Sequence, residues 1–405
     1  MIPSSPRIYL DNNATTRMDD RVALGITNLL SRCGMNPASQ HHEGRQARRL
    51  VEDSRDMLLQ LLGARTRGMS SDRLLFTSGG TEANNLAILG LSANRPGTLI
   101  VSAIEHPSVL EAAKIHQQKR SGSVRYLPVD VSGVVRIDIL EQWFAELKQG
   151  SQPISVVSVM LANNETGVLQ PLDRIVSLAH SYGAIVHTDA VQAIGKTAFD
   201  FLHSDVDALT FTAHKLHGPI GIGGLLLRSN IELEPMMYGG FQQLGLRPGT
   251  ESSLLTTSFA ESVRLAMQFQ ADAVVHMTML RQRFENGIRN QLPDIVIHGE
   301  IAERLPHTIS VAFPRCDRQA LQMALDMAGI ACSTGSACAS GSSQPSHVLN
   351  AMQVGDDLLQ SSLRFSLSRQ STLEEIDLAI DRIAQTVTKL RDRSQSLQPH
   401  GSISS

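Results

Sequence analysis

The chain of 405 residues carries one Trp, four Tyr and only 4% aromatic residues. That is too few to furnish the stacked aromatic platforms on which single-stranded nucleic acids rest. Its 36 Lys and Arg are outnumbered by 39 Asp and Glu, for a net charge of −3, so the basic field with which duplex binders neutralise phosphates is missing. A small molecule or another protein is the expected partner, with no nucleic acid. Lysine is scarcer than the summed count suggests: it occurs only at Lys114, Lys119, Lys148, Lys196, Lys215 and Lys389. Chemistry that needs a primary amine therefore has few candidates. The four cysteines, Cys33, Cys316, Cys332 and Cys338, form no CxxC pair and no metal-type spacing, which argues against a disulfide framework or a structural metal site in a chain of this length. Free thiols in a reducing compartment are expected, with Cys332, after an apolar run, buried. No run approaches the ~20 apolar residues of a membrane span, and MIPSSPRIYLDNN lacks the basic segment and apolar core of a secretory leader. The expectation is a cytoplasmic protein with no membrane association.

What is present is a rhythm of short apolar runs and helical stretches. Strands are expected over 73–77, 98–103, 124–128, 154–160, 184–188, 207–212 and 224–228, and runs such as TLIVSA and ISVVSVM lack alternation, as strands buried on both faces do. This predicts an α/β fold with a large, mostly parallel sheet covered by helices. From GTESSLLTTSFAESVRLAMQFQ the pattern is helical to about residue 290. Beyond it, short strands near 295, 308–313 and 363–368, a helix from 317 and an amphipathic helix over 372–393 predict a smaller α+β C-terminal domain. The expected division is 15–258 for the large domain, with 1–14 and 259–394 forming the small one. The polar tail 395–405 is expected to be disordered.

In open α/β sheets ligands bind outside the carboxyl ends of the strands, so the residues that follow each strand matter most. After LLFT comes Ser78-Gly79-Gly80-Thr81 leading into a helix, an anion cradle of backbone amides suited to phosphate. After TLIVSA comes His106, a flat ring that can stack on a cofactor and exchange protons near neutral pH. After AIVHT comes Asp189, whose charge at the end of an apolar strand calls for a cationic partner such as a pyridinium nitrogen. After DALTFT comes Ala213-His214-Lys215, and Lys215 alone among the lysines follows a strand directly. Amine, phosphate cradle, stacking ring and carboxylate together are what pyridoxal 5′-phosphate requires.

Two more residues suit an amino-acid substrate on that cofactor. Cys338 lies in the small, polar run STGSACASGS, unlike the usual buried thiol, and reads as a mobile nucleophile. Arg364, in the strand LRFSLS, has the planar fork for capturing a carboxylate.

These motifs are arranged in the order of a known family. YLDNNATT, NPASQHHEGRQA, FTSGGTEANNLAI, EHPSV, NNETGVLQP, HTDAVQAIGK, TAHKLHGP, RPGT, STGSACASGS and LRFSLS span nearly the whole chain. It resembles the cysteine desulfurases, fold-type I pyridoxal-phosphate enzymes of the class-V aminotransferase superfamily, nearest the NifS/IscS-like group. The resemblance implies Lys215 as the Schiff-base lysine, His106 stacked on the ring, Asp189 at the pyridinium, and Asn164 and Gln192 near the ring oxygen and substrate. It further implies that Gly80, Thr81, Thr212 and His214 hold the phosphate, with Thr250 reaching it from the neighbouring subunit of a homodimer. Arg364 would bind the carboxylate of L-cysteine, and Cys338 would attack its sulfur, leaving L-alanine and an enzyme persulfide. His106 is a candidate base for the thiol, and the sulfur would pass to an acceptor protein such as an iron–sulfur scaffold. No metal is implied.

The chain departs from the family pattern at Gln243 and Leu244, where relatives usually carry an acidic and a basic residue, and at Ile220, where they often carry lysine. A selenocysteine lyase or other β-elimination enzyme of the same fold, and a catalytically weak sulfur-transfer scaffold, are the alternative readings.

Overall fold

The computed structural model describes residues 6–30, 34–66, 68, 70–120, 122–335 and 345–396. Cys33, Cys338 and the tail beyond 396 lie outside the described residues. The strands run in chain order β1 (Ile8–Tyr9), β2 (Arg73–Thr77), β3 (Thr98–Ser102), β4 (Val124–Leu127), β5 (Ile154–Ser158), β6 (Ile185–Asp189) and β7 (Ala208–Thr212). They continue as β8 (Gly223–Leu227), β9 (Val296–Ile297), β10 (Thr308–Ala312), β11 (Ile330–Ala331) and β12 (Ser362–Ser366).

Seven of these strands form one sheet in the order β2-β8-β7-β6-β5-β3-β4. The pairings among β3 to β7 are parallel, as expected, but β8 runs antiparallel to both β2 and β7. The link 213–222 between β7 and β8 explains the reversal: it is shorter than the dozen or so residues that a parallel crossover demands. Successive side chains enter opposite cores. Ile100, Val157, Val186 and Leu209 join one apolar cluster, while Leu99, Val101, Val156, Ile185 and Ala208 join the other. Burial on both faces is why these strands read as unbroken apolar runs.

A second core surrounds β10, which pairs antiparallel with β9 and β12. Phe365 anchors it, its ring centroid 5.1 Å from that of Phe284 and 6.3 Å from that of Phe313. Cys316 and Cys332 are buried free thiols here.

Two expectations change. The helical stretch to residue 290 is two helices, Ser253–Gln268 and Gln270–Gln291, meeting at Phe269. Phe259, Val263 and Ala266 of the first pack into the large core and Leu280, Phe284 and Ile288 of the second into the small one. The C-terminal helix Leu373–Ser396 also extends slightly past the expected start of the tail. Among the described residues, no helix is long and apolar enough to cross a membrane.

The segment after β1 ties the two sheets together. Asn12 Nδ2 donates to the carbonyl of Ser366, the last residue of β12, at 2.9 Å, and Thr16 donates to the His214 carbonyl through both its amide and its hydroxyl, each at 2.9 Å. Residues 13–15 are thereby laid across the carboxyl end of β7.

Candidate active site

A cavity of about 620 Å³ opens at the carboxyl ends of the large sheet, within the size range of small-molecule and cofactor sites. Gly80, Thr81, His106, Asn164, Asp189, Gln192, Thr212, His214, Lys215 and Arg364 all line it. Thr250 does not: it is exposed on the loop before the helix Ser253–Gln268. Gly335 and Pro345, on either side of the undescribed segment 336–344 that contains Cys338, both line the cavity.

The helix Gly80–Leu91 begins without a side-chain cap, so its first amides are left for a ligand at the positive end of the helix dipole. The turn before it is tightly packed, since a Cβ on Gly223 would lie 2.8 Å from the Gly79 carbonyl carbon.

Asp189 ends β6. Its Oδ1 accepts from the Val191 amide at 2.9 Å and its Oδ2 from Asn84 Nδ2 at 2.7 Å. Asn84 Nδ2 also donates to Ser108 Oγ at 2.9 Å, which leaves the Ser108 proton for His106 Nδ1, 2.8 Å away. The Ser108 amide also donates to His106 Nδ1 at 3.2 Å. Burial lowers the His106 pKa, with Asp189 pulling the other way, which favours the neutral ring, and the two donors to Nδ1 leave Nε2 to carry its proton.

Lys215 stands in the short 3₁₀ turn Ala213–Lys215 after β7. Its Nζ donates to the Asn13 carbonyl and, at 2.6 Å, to that of Ala14. Gln192 Nε2 donates to the same Asn13 carbonyl at 3.1 Å. His214 is pushed down to about 4 by burial and by Lys215, and Thr212 donates its hydroxyl to the Ile222 carbonyl at 2.9 Å. Arg364 is fully buried. Its Nη2 pairs with Asp11 at 2.8 Å and its Nη1 donates to the Asn164 carbonyl at 3.0 Å, while Nε has no partner among the described residues.

The donor set fits a phosphorylated pyridine aldehyde carrying an amino acid. There is a helix start for the phosphate, a doubly held carboxylate for the ring nitrogen and an amine for the aldehyde. The orphaned buried Arg364 Nε supplies a donor for a carboxylate.

Sequence reasoning missed several residues that make this arrangement. Asn13 sits within the YLDNNATT run, where no chemistry of its own marks it out; Asn84 lies one turn past the phosphate cradle; Ser108 follows His106 closely. Glu105, fully buried, accepts from the Ser102 hydroxyl and the Met160 amide, both at 2.6 Å, and burial pushes it up to about 8. Lys196 is buried as well, its Nζ 3.4 Å from Gln192 Oε1.

With this geometry in view, similarity becomes informative. The aminotransferase class-V family model matches residues 8–378. A cysteine desulfurase of Cereibacter sphaeroides is 39% identical over 98% of this chain and 98% of its own length. The cysteine desulfurase NifS of Azotobacter vinelandii is 37% identical over 98% and 96%. The solved structure of a NifS-like protein from Rickettsia africae superposes with a TM-score of 0.85 at 31% identity, covering 94% of this chain and 99% of that one. The chain belongs to the class-V aminotransferases, as a cysteine desulfurase.

In this desulfurase the departures from the family pattern have distinct surroundings. Gln243 Oε1 accepts from the Phe76 amide at 2.7 Å and its Nε2 donates to the Phe76 carbonyl at 2.9 Å. The carboxamide thus pairs with both backbone groups of β2, an edge strand that would otherwise expose them. An acidic side chain could make only the first of these bonds. Ile220 and Leu244 are 74% and 64% exposed, and Tyr238 and Phe241 are exposed as well.

Proposed function

We propose that this cysteine desulfurase binds pyridoxal 5′-phosphate through Lys215 and moves the sulfur of L-cysteine onto Cys338, leaving L-alanine. The observation that carries the reading is the convergence of the Lys215 amine, the fixed Asp189 carboxylate, the His106 imidazole and the buried Arg364 guanidinium on a single cavity. The cofactor supplies an electron sink next to the substrate Cα.

The chain's own residues do the rest. The amides of Gly80 and Thr81, with Thr212 and His214, hold the phosphate. Asp189, fixed by Asn84 and Val191, keeps the ring nitrogen protonated, and His106 covers the ring. Asn164 and Gln192 orient the substrate and the ring oxygen, and Arg364 takes the substrate carboxylate at Nε. Lys215 Nζ, held by the carbonyls of Asn13 and Ala14, carries the Cα proton. His106 Nε2 supplies a proton on the same side. In the sulfur step the Cys338 thiolate attacks the substrate sulfur: the carbon–sulfur bond breaks and a sulfur–sulfur bond forms. Carbon is reduced as the two sulfurs are oxidised, so no external oxidant is needed. A free thiol with a pKa of about 8.5 must first lose its proton.

Replacing Cys338 with Ala is expected to leave cofactor binding intact and to abolish persulfide and sulfide release, measured with cysteine and a reductant. Undiminished sulfide production would rule out Cys338 as the acceptor.

The exposed apolar residues Tyr238, Phe241, Leu244 and Ile220, together with the distance of Thr250 from its own cavity, support a homodimer in which Thr250 completes the neighbouring site. Mixing Lys215→Ala chains with Thr250→Ala chains is then expected to restore activity above either variant alone, because one site of the hybrid has both residues intact. No gain from chains shown to exchange would refute the shared site. We also place the two domains on either side of Phe269, with the first residues joining the smaller one. Passage of the sulfur to an acceptor protein, such as an iron–sulfur scaffold in the cytoplasm, completes the reading.

A further inference from the structure

Glu165 has no part in the steps above, yet its carboxyl is fully buried beside Asn164, and burial pushes its pKa up against the opposing influence of Ser346, His347 and Arg364. A buried carboxyl is costly unless something holds it. Ser346 Oγ donates to Glu165 Oε2 at 2.5 Å. The same hydroxyl oxygen accepts from the Leu349 amide at 3.1 Å, capping the helix His347–Ala351. Against the same carboxyl oxygen lies Gly335, in the left-handed region at φ 91°. A Cβ there would stand 2.6 Å from Glu165 Oε2, so only glycine lets the backbone come this close. Gly335 is itself fixed from behind: its amide donates to Ser333 Oγ at 3.3 Å, and Ser333 exchanges backbone hydrogen bonds of 3.1 and 2.7 Å with Arg364.

One carboxyl thus contacts the chain just before residue 336 and just after residue 344, the stretch that contains Cys338. We propose that Glu165 is a positioning residue for the sulfur step: by clasping Gly335 and Ser346 it sets where the Cys338 segment departs and returns relative to Arg364 and the substrate. The proposal rests on the reading of Cys338 as sulfur acceptor. Its physical basis is that pinning both ends of a loop removes conformations in which the nucleophile is out of reach, and nearness of reacting groups is a large part of catalytic rate.

The test uses the holoenzyme and follows two signals. The first is the change in cofactor absorbance on adding cysteine, which reports Lys215 and Arg364. The second is the one-sulfur mass gain on Cys338 in a single turnover. For Glu165→Ala the first signal and the KM for cysteine are expected to stay near wild type, while persulfide formation slows by about 10²-fold, the cost of a misplacement on the order of 1 Å. Glu165→Gln, whose carboxamide oxygen still accepts from Ser346, is expected to recover most of the rate. Gly335→Ala should slow the same signal, and adding it to Glu165→Ala should cost little more, because both act on one contact. If Glu165→Ala does not fold, Ser346→Ala carries the test, with persulfide formation expected to slow roughly tenfold from loss of one of the two anchors. Wild-type persulfide rates in these variants, loss of both signals together, or failure of Gln to rescue would each overturn the proposal. Absence of persulfide in the wild-type protein would instead overturn the assignment of Cys338, and the clasp with it.

Discussion

Lys215→Ala is expected to lose desulfuration almost completely, with kcat lower by on the order of 10⁴ to 10⁶, the scale seen when a covalent catalytic group is deleted. Little else in the cavity can stand in for it. Lys114 lines the same cavity but is paired with Glu111 at 2.6 Å, with half of its side chain exposed. Lys196 lies behind, sharing with Lys215 a separate cavity of about 30 Å³. The measurement is alanine formed from cysteine, with the visible absorbance of the cofactor followed in parallel. Turnover within tenfold of wild type would remove Lys215 from its role.

The second large effect concerns stability. Burial, reinforced by Lys215, pushes Lys196 down to about 7 from an ordinary value of 10.5. No carboxylate is paired with it among the described residues. Between these values the unfolded chain binds a proton that the folded chain does not, so this group makes stability rise with pH through that window by up to about 1.4 kcal/mol per unit. The penalty is greatest at pH 7 and below. Lys196→Met removes it, at the cost of leaving Gln192 Oε1 without a donor, about 1–3 kcal/mol. The variant is therefore expected to be more stable than wild type by roughly 1–3 kcal/mol near pH 7, and less stable near pH 10. Denaturant midpoints at the two pH values decide it; a difference independent of pH would show that Lys196 is not titrating in the folded protein.

Much of the site was legible because its residues follow strands. A strand buried on both faces is a short apolar run in any context, and whatever comes next emerges at the carboxyl edge. Asp189, Lys215 and His106 needed no more than that. Other features depend on contacts between distant parts of the chain. Asn13 enters only because Asn12 and Thr16 bind residues at the end of β12 and just after β7. Lys196 follows a glycine in the sequence, and nothing there shows that packing removes its water. Gln243 looked like the loss of a charge, but its two bonds to Phe76 cannot be anticipated without knowing that β2 is an edge strand. The reversal of β8 was foreshadowed by the shortness of its link, a length signal that apolar pattern alone does not weigh. The break at Phe269 left no trace in the helical periodicity, because the residues on either side of it are good helix formers that face different cores.

The segment from Ile8 to Thr16 is also a matter of timing. Its partners for closing the site lie 198 positions along at His214 and 354 positions along at Ser366. At the usual pace of translation, roughly 20–70 s pass between the making of Asn12 and of Ser366. Throughout that interval the nascent chain lacks at least the Ser366 half of the clamp that seats the carbonyls behind Lys215. A ribosome-bound or prematurely ended chain that stops short of β12 therefore cannot release sulfide, however well its large sheet has folded. Reactive sulfur chemistry begins only when this segment is joined to one made hundreds of residues after it.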